Sequence, residues 1–237
     1  MSTLYIGLDD TDTATSPGTG HLAREIASML TSRFPVLGIT RHQLLFDPRV
    51  PMTAKNSANV VHLQIDATRF GGNSNLVRLV DEVTDYVRAH AYPGSDPGLC
   101  LAIAPLPAVT EFGRRAKVDV VTPDEARSVV NNHQGLVLRA LGGDGSGIIG
   151  ALAAVGLAAT GNDGRFTWVG SIRDVRGVQP VKVILAAGVA AVQTLEGDAV
   201  TSGLVETGDK LRPSLIDGQA VLLVEPADGR WRAVRRD

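Results

Sequence analysis

The sequence has almost no cysteine. Cys100 is the only one in 237 residues, which excludes an intramolecular disulfide framework and any cysteine-cluster zinc module, and fits a reducing compartment. Basic charge is not in excess either. Lys and Arg number 23 against 25 Asp and Glu, a net charge of −2 with a pI of about 6.2, so the footprint of a dedicated nucleic-acid binder is missing. No apolar run reaches the ~20 residues of a membrane span, and MSTLYIGLDD lacks the basic n-region of a signal peptide. The expectation is a cytoplasmic protein with no membrane partner. What remains is ordinary for a globular chain, 44% hydrophobic and 20% charged, in one large domain or two small ones.

Glycine is what the sequence has in abundance: 26 residues, about 11% against a usual ~7%. Those glycines are either turn punctuation or places where a ligand meets the backbone.

Periodicity predicts alternating strands and helices. Leu4 to Leu8 is a buried strand, 11–20 a loop, and Leu22, Ile26, Met29 and Leu30 mark an amphipathic helix ending before Pro35. A strand over 36–46, a loop over 47–59, a strand from Val60 to Ile65 and a helix from Asn75 to His90 follow. PGSDPG at 93–98 is a turn cluster before a buried strand, Leu99 to Ala104. Residues 107–121 are helical by pattern, Pro123-Asp124-Glu125 starts another helix, and Leu136 to Leu141 is either a strand or a helix tail. The apolar small-residue stretch 148–159 reads as a helix and Thr167 to Ile172 as a strand, after which short strands divided by turns continue to the end. The fold class is α+β with α/β-type alternation.

Three segments carry candidate chemistry. In LDDTDT, Asp9, Asp10 and Asp12 crowd the end of a buried strand. Carboxylates this close repel, which a cation or a raised pKa resolves, and oxygen-only donors suit Mg²⁺; the alternative is an Asp-rich turn capping its own backbone. GGDGSG at 142–147 precedes a helix, where backbone N–H groups and the helix dipole favour an anion, or where glycines merely serve a tight turn. Gly145 to Gly150 also fits G-x-G-x-x-G, a weak dinucleotide signal, with Asp174 as its acid. In PMTAKNSAN, Lys55 with Asn56 either clamps a phosphate or is a solvated surface lysine. Thr19 either caps the first helix or faces a triphosphate. Cys100, in an apolar run, reads as a small hydrophobe.

Taken together, GLDDTDT with GTGHLA, then DPRVPMTAKNSA, GGDGSGIIGALAAVG and QAVLLVEPADGRWRAVRR resemble, in order, the N-terminal half of the archaeal tRNA(Ile) agmatidine synthetase family. The resemblance implies a kinase-like ATP/Mg²⁺ domain over 1–65 and, over 66–237, a ferredoxin-like α/β sandwich with the glycine loop 142–150 and a strand-rich C-terminal part. It implies ATP and Mg²⁺ as cofactors. Asp9, Asp10 and Asp12 are then the metal ligands and catalytic acids, and Thr19 the residue that takes up phosphate. Thr11, Lys55, Asn56, Gly143, Gly145, Ser146 and Gly147 are then the nucleotide contacts.

The sequence departs from the family pattern at three points. Gly18-Thr19-Gly20 replaces Cys-Thr-Thr, the segment 51–57 has one cation fewer, and Ser146 stands where an arginine is usual. The sequence also ends before the family's OB-fold and zinc ribbon. The expectation is therefore an ATP-dependent phosphotransferase or synthetase-like enzyme with a nucleotide and an unidentified small-molecule acceptor as partners. A non-catalytic nucleotide-binding module is one alternative, motivated by the missing cations. A tRNA-modifying subunit working with a separate RNA-binding chain, supported locally only by the basic tail (Arg230, Arg232, Arg235, Arg236), is the less favoured one.

Overall fold

The computed structural model describes residues 1–50, 55–66, 73–103, 107–131, 133 and 135–235. The chain forms two compact units, Met1–Ala159 and Thr160–Asp237. The break expected after residue 65 differs from this division. Residues 4–9, before that break, pair antiparallel with residues 98–103 after it, so a division there would separate neighbouring strands of one sheet.

That sheet holds β1 (Ser2–Asp9), β2 (Val36–Gln43), β3 (Ser57–Ile65), β4 (Gly98–Ile103) and β5 (Val137–Ala140), in the order β5-β4-β1-β3-β2. Every pairing among them is antiparallel, which makes the unit α+β. β1 is buried from Leu4 to Leu8 because both its edges and both its faces are covered.

On one face lie α1 (Thr19–Leu30) and α2 (Asn73–His90). Leu22, Ile26 and Leu30 of α1 turn inward at the expected helical spacing. Against the other face lies α5 (Gly147–Ala159), covered in turn by α3 (Pro107–Val118) and α4 (Pro123–Asn131). α5 is apolar all round, GIIGALAAVGLAA, and nearly every residue of it is buried, as a helix enclosed on all sides must be. It approaches the sheet so closely that a Cβ on Gly7 or Gly98 would collide with its backbone. Gly7 and Gly98 are therefore packing glycines.

Beneath α5 the sheet carries a buried polar cluster. The Thr40 hydroxyl hydrogen bonds Nε2 of both His42 and His62, at 2.7 Å each, and Tyr5 meets His62 edge-on. Burial, with His42 adding to it, pushes the His62 pKa down to about 3, so His62 is neutral. Cys100 is buried, and burial pushes its thiol pKa up, as befits a small hydrophobe and not a nucleophile.

The second unit is built from β6 (Arg165–Trp168), β7 (Val178–Pro180), β8 (Ala191–Thr194), β9 (Leu204–Glu206), β10 (Ser214–Ile216), β11 (Gln219–Ala227) and β12 (Arg230–Ala233). They run β6-β10-β11-β12-β9-β7, with β8 also paired to β11, around a core that includes Phe166, Ile172, Ile184, Leu215 and Leu222. The pattern predicts a strand through Ile172, but β6 stops at Trp168 and Ile172–Asp174 is a 3₁₀ turn, because Gly170 bends the chain at φ 47°. Val181–Ala186, in a stretch where only strands are expected, is the short helix α6. Among the described residues, no helix is long and apolar enough to cross a membrane.

Candidate functional site

One end of the first unit's sheet gathers the segments singled out from the sequence. The antiparallel register sets the C-terminal end of β1 beside the starts of β3 and β4, pairing Leu8 with Asn59 and Asp9 with Gly98. Arg41 of β2 pairs with Asn59 on the far side. The N-termini of α1 and α5, from opposite faces, open onto the same end: Thr19 of α1 bonds the loop that follows β1, and Gly147 of α5 lies against Gly98.

Asp9 turns toward α5, where a Cβ on Gly150 would collide with its carboxylate. Burial pushes the Asp9 pKa up to about 7; the backbone N–H of Asp10 acts the other way, and the negative charges of Asp10, Asp12 and Asp96 add to the rise. Asp10 takes a left-handed backbone, φ 47°, a conformation that Asp tolerates better than most residues and that often marks a functional turn.

Asp12 turns the opposite way, to the start of α1. Its Oδ1 accepts from the backbone N–H of Thr19 at 3.0 Å and from the Thr19 hydroxyl at 2.6 Å. The same hydroxyl oxygen accepts from the N–H of Thr11 at 3.2 Å. The N-cap position belongs to Gly18, which has no side chain to cap with, so Asp12 satisfies a helix donor from seven residues away. Thr19 and Thr11 are both buried. A hydroxyl held by a carboxylate is both a cap and the arrangement of a nucleophile with its base.

The glycine loop already holds a carboxyl group, that of Asp96. Its carboxylate accepts from the N–H of Gly145 at 3.0 Å, of Ser146 at 2.6 Å and of Gly147 at 3.4 Å, and from the Ser146 hydroxyl at 2.9 Å. The donors expected to cradle phosphate are thus engaged by the chain itself. Gly143 holds φ 55°, and a Cβ there would press on Asp96. Hydrogen bonding to Asp96 and Ser146 holds Asp144 below the ordinary carboxylate range.

Of the basic segment, residues 51–54 lie outside the described residues. Lys55 is exposed. The Asn56 side-chain amide donates to the Leu45 carbonyl at 2.7 Å and its own backbone carbonyl accepts from Leu44 at 2.9 Å, so Asn56 ties the loop between β2 and β3 together.

Sequence reasoning missed two residues. Asp96 is hidden in a turn cluster and meets its loop from 49 residues away or more; no local pattern announces that. Arg41 is a half-buried guanidinium donating to Ser57 Oγ at 2.8 Å. Burial lowers its pKa and the negative charge of Asp12 opposes that.

The donor chemistry at this end is oxygen-only and anionic, as Mg²⁺ prefers, and Asp9 is a carboxylate whose charge a cation would relieve. Among the described residues, no group of three or more His, Cys, Asp or Glu side chains is arranged to hold a metal ion, since Asp9 and Asp12 diverge. One or two carboxylates are what a Mg²⁺ held largely by nucleotide phosphates takes from a protein.

Solved structures with this architecture exist. A crystal structure of TiaS in complex with an isoleucine tRNA and ATP matches 66% of this chain and 36% of that chain, with a TM-score of 0.55 and 26% identity. A tRNA fluorescent labeling enzyme matches 65% and 36%, with a TM-score of 0.53 and 27% identity. A complex of TiaS with an isoleucine tRNA, AMPCPP and agmatine matches 65% and 36%, with a TM-score of 0.53 and 26% identity. The chain has a partial likeness to TiaS, the isoleucine-tRNA agmatidine synthetase, and spans about a third of the length of the structures it matches. No protein-family model matches the sequence, and no curated protein matches it.

Proposed function

We propose that the first unit is an ATP- and Mg²⁺-dependent phosphotransferase or synthetase site acting on a small-molecule acceptor. The observation that carries this reading is the meeting of the 9–12 segment with the start of α5 across some 140 residues, with Asp9 packed on Gly150. The ATP and AMPCPP bound in two of the similar structures support it.

Of the three acids, Asp9 and Asp10 are the proposed Mg²⁺ ligands, since Asp12 turns away to Thr19. Bound Mg²⁺ supplies charge neutralisation at phosphate oxygens. Arg41 and Lys55 add positive charge from β2 and from the loop before β3, in place of the arginine missing from the glycine loop. Thr19 faces the terminal phosphate, and Asp12 Oδ1, 2.6 Å from its hydroxyl, takes the proton when Thr19 Oγ1 bonds to phosphorus and the nucleotide leaves. Such catalysis is chiefly positioning and charge stabilisation.

Calorimetry tests the site: wild type binds ATP in the presence of Mg²⁺, and Asp10→Ala weakens that binding on the order of tenfold or more. Equal binding by both proteins overturns the assignment. One observation favours a second reading, a nucleotide-binding module without turnover: Asp96 occupies the donors of the glycine loop. ATP consumption, or phosphate on Thr19, separates the two, with agmatine-like amines and tRNA as the acceptors to compare.

A further inference from the structure

The second unit concentrates positive charge in one concavity. A cavity of about 470 Å³ is lined by Lys210, Arg212, Arg232 and Arg235, with Glu206 the acid in its lining. This occurs in a chain whose net charge is −2. Glu206 is already paired, 2.8 Å from Arg230 outside the lining. Arg232 lies beside Glu206 in the β9–β12 register and 3.6 Å from Glu225, which is also outside the lining. Among the described residues, the lining sets four cations against one acid.

The pocket's cations are not all loose surface chains. The Arg212 guanidinium is half-buried, and its Nη1 donates to the carbonyls of Leu211 at 3.2 Å and Thr167 at 3.5 Å, which fixes its planar head at the wall. Lys210 and Arg235 are exposed at the mouth. The volume falls inside the ~300–1,000 Å³ of small-ligand sites.

We propose that this pocket is an anion site that takes a phosphate group. A wall this positive exceeds what one carboxylate neutralises and suits the near-dianionic phosphate of neutral pH. Arginine forks match phosphate oxygens two at a time, and lysine adds a point charge. A free phosphate or phosphomonoester and a polynucleotide backbone share this chemistry.

The test is an NMR titration of the full chain at fixed ionic strength, with inorganic phosphate and, separately, with a short dT oligonucleotide. Saturable shifts confined to residues 207–212 and 232–235 are expected. The double variant Lys210→Gln/Arg212→Gln weakens binding by about tenfold or more, while Lys182→Gln, an exposed lysine on α6, leaves it unchanged. Saturation by phosphate alone identifies a small phosphorylated ligand; tighter, steeply salt-dependent binding of the oligonucleotide that displaces phosphate identifies a polynucleotide. Shifts spread over the surface, no saturation with either probe, or equal weakening by Lys182→Gln overturns the proposal. Asp9→Asn leaves these shifts unaltered, so this site and the nucleotide site of the first unit stand or fall separately.

Discussion

His62 shows how burial converts an ordinary side chain into a pH-dependent element of stability. Its folded pKa, about 3, lies below the ~6.5 of an unfolded histidine. The unfolded chain therefore binds a proton that the folded chain refuses. The stability His62 contributes is fully present above about pH 6.5 and is lost as the pH falls from there toward about 3, with a slope of up to about 1.4 kcal/mol per pH unit. His62→Gln keeps a hydrogen-bonding partner for Thr40 and removes the titration. Thermal melts between about pH 7 and about pH 4 should show a shallower loss in the variant; parallel curves would sink the assignment. Arg41 calls for a different measurement. If its guanidinium faces phosphate beside Asp12, Arg41→Gln lowers ATP affinity about tenfold with little change in the melting temperature, since the hydrogen bond it gives up is to a single serine hydroxyl. A loss of stability with unchanged ATP affinity would make it a strand anchor and nothing more.

The strands and helices were largely legible because each carries its own periodicity. Leu22, Ile26 and Leu30 announce α1, and the apolar stretch at 148–159 announces a buried helix. The 9–12 and 142–147 segments were legible because their composition is locally abnormal. Asp96 was not, because its role arises only when the β1–β4 register brings Gly98 beside Asp9 and so sets the 93–98 turn under the glycine loop. The helix Val181–Ala186 was missed because its β-branched apolar run has strand propensity that tertiary packing overrides. The close seat of α5 on the sheet yields a sharp prediction. A Cβ on Gly98 meets the backbone of Gly147 and Ile148, which cannot give way as a flexible side chain can. Gly98→Ala should destabilise by about 3 kcal/mol, the upper end of overpacking. Gly94→Ala, with φ 89° and nothing within 4 Å, should lose only about 1 kcal/mol through backbone strain. Denaturant midpoints measure both, and equal losses would mean that α5 has room to shift.

The two units have separate means of holding together. The first relies on a five-stranded antiparallel sheet with helices on both faces; the second on a strand-rich sheet and a short helix around Phe166, Ile172, Ile184, Leu215 and Leu222. Residues 160–237 amount to 78 residues, above the ~55–65 at which many domains already fold alone. The sequence of this unit has no cysteine, and among its described residues no metal cluster staples the core, so apolar burial has to suffice. Val205, Leu211, Leu215, Leu222 and Val224 are each buried, and full burial of such a side chain contributes ~1.5–3 kcal/mol. The fragment 160–237 should therefore melt cooperatively and give a dispersed amide spectrum in isolation. The phosphate titration proposed for its basic pocket should then reproduce in the fragment, because every described lining residue lies within it. A fragment that stays unfolded would show that its core is insufficient without residues 1–159. A folded fragment that no longer responds to phosphate would show that the cavity is shaped from outside its own sequence.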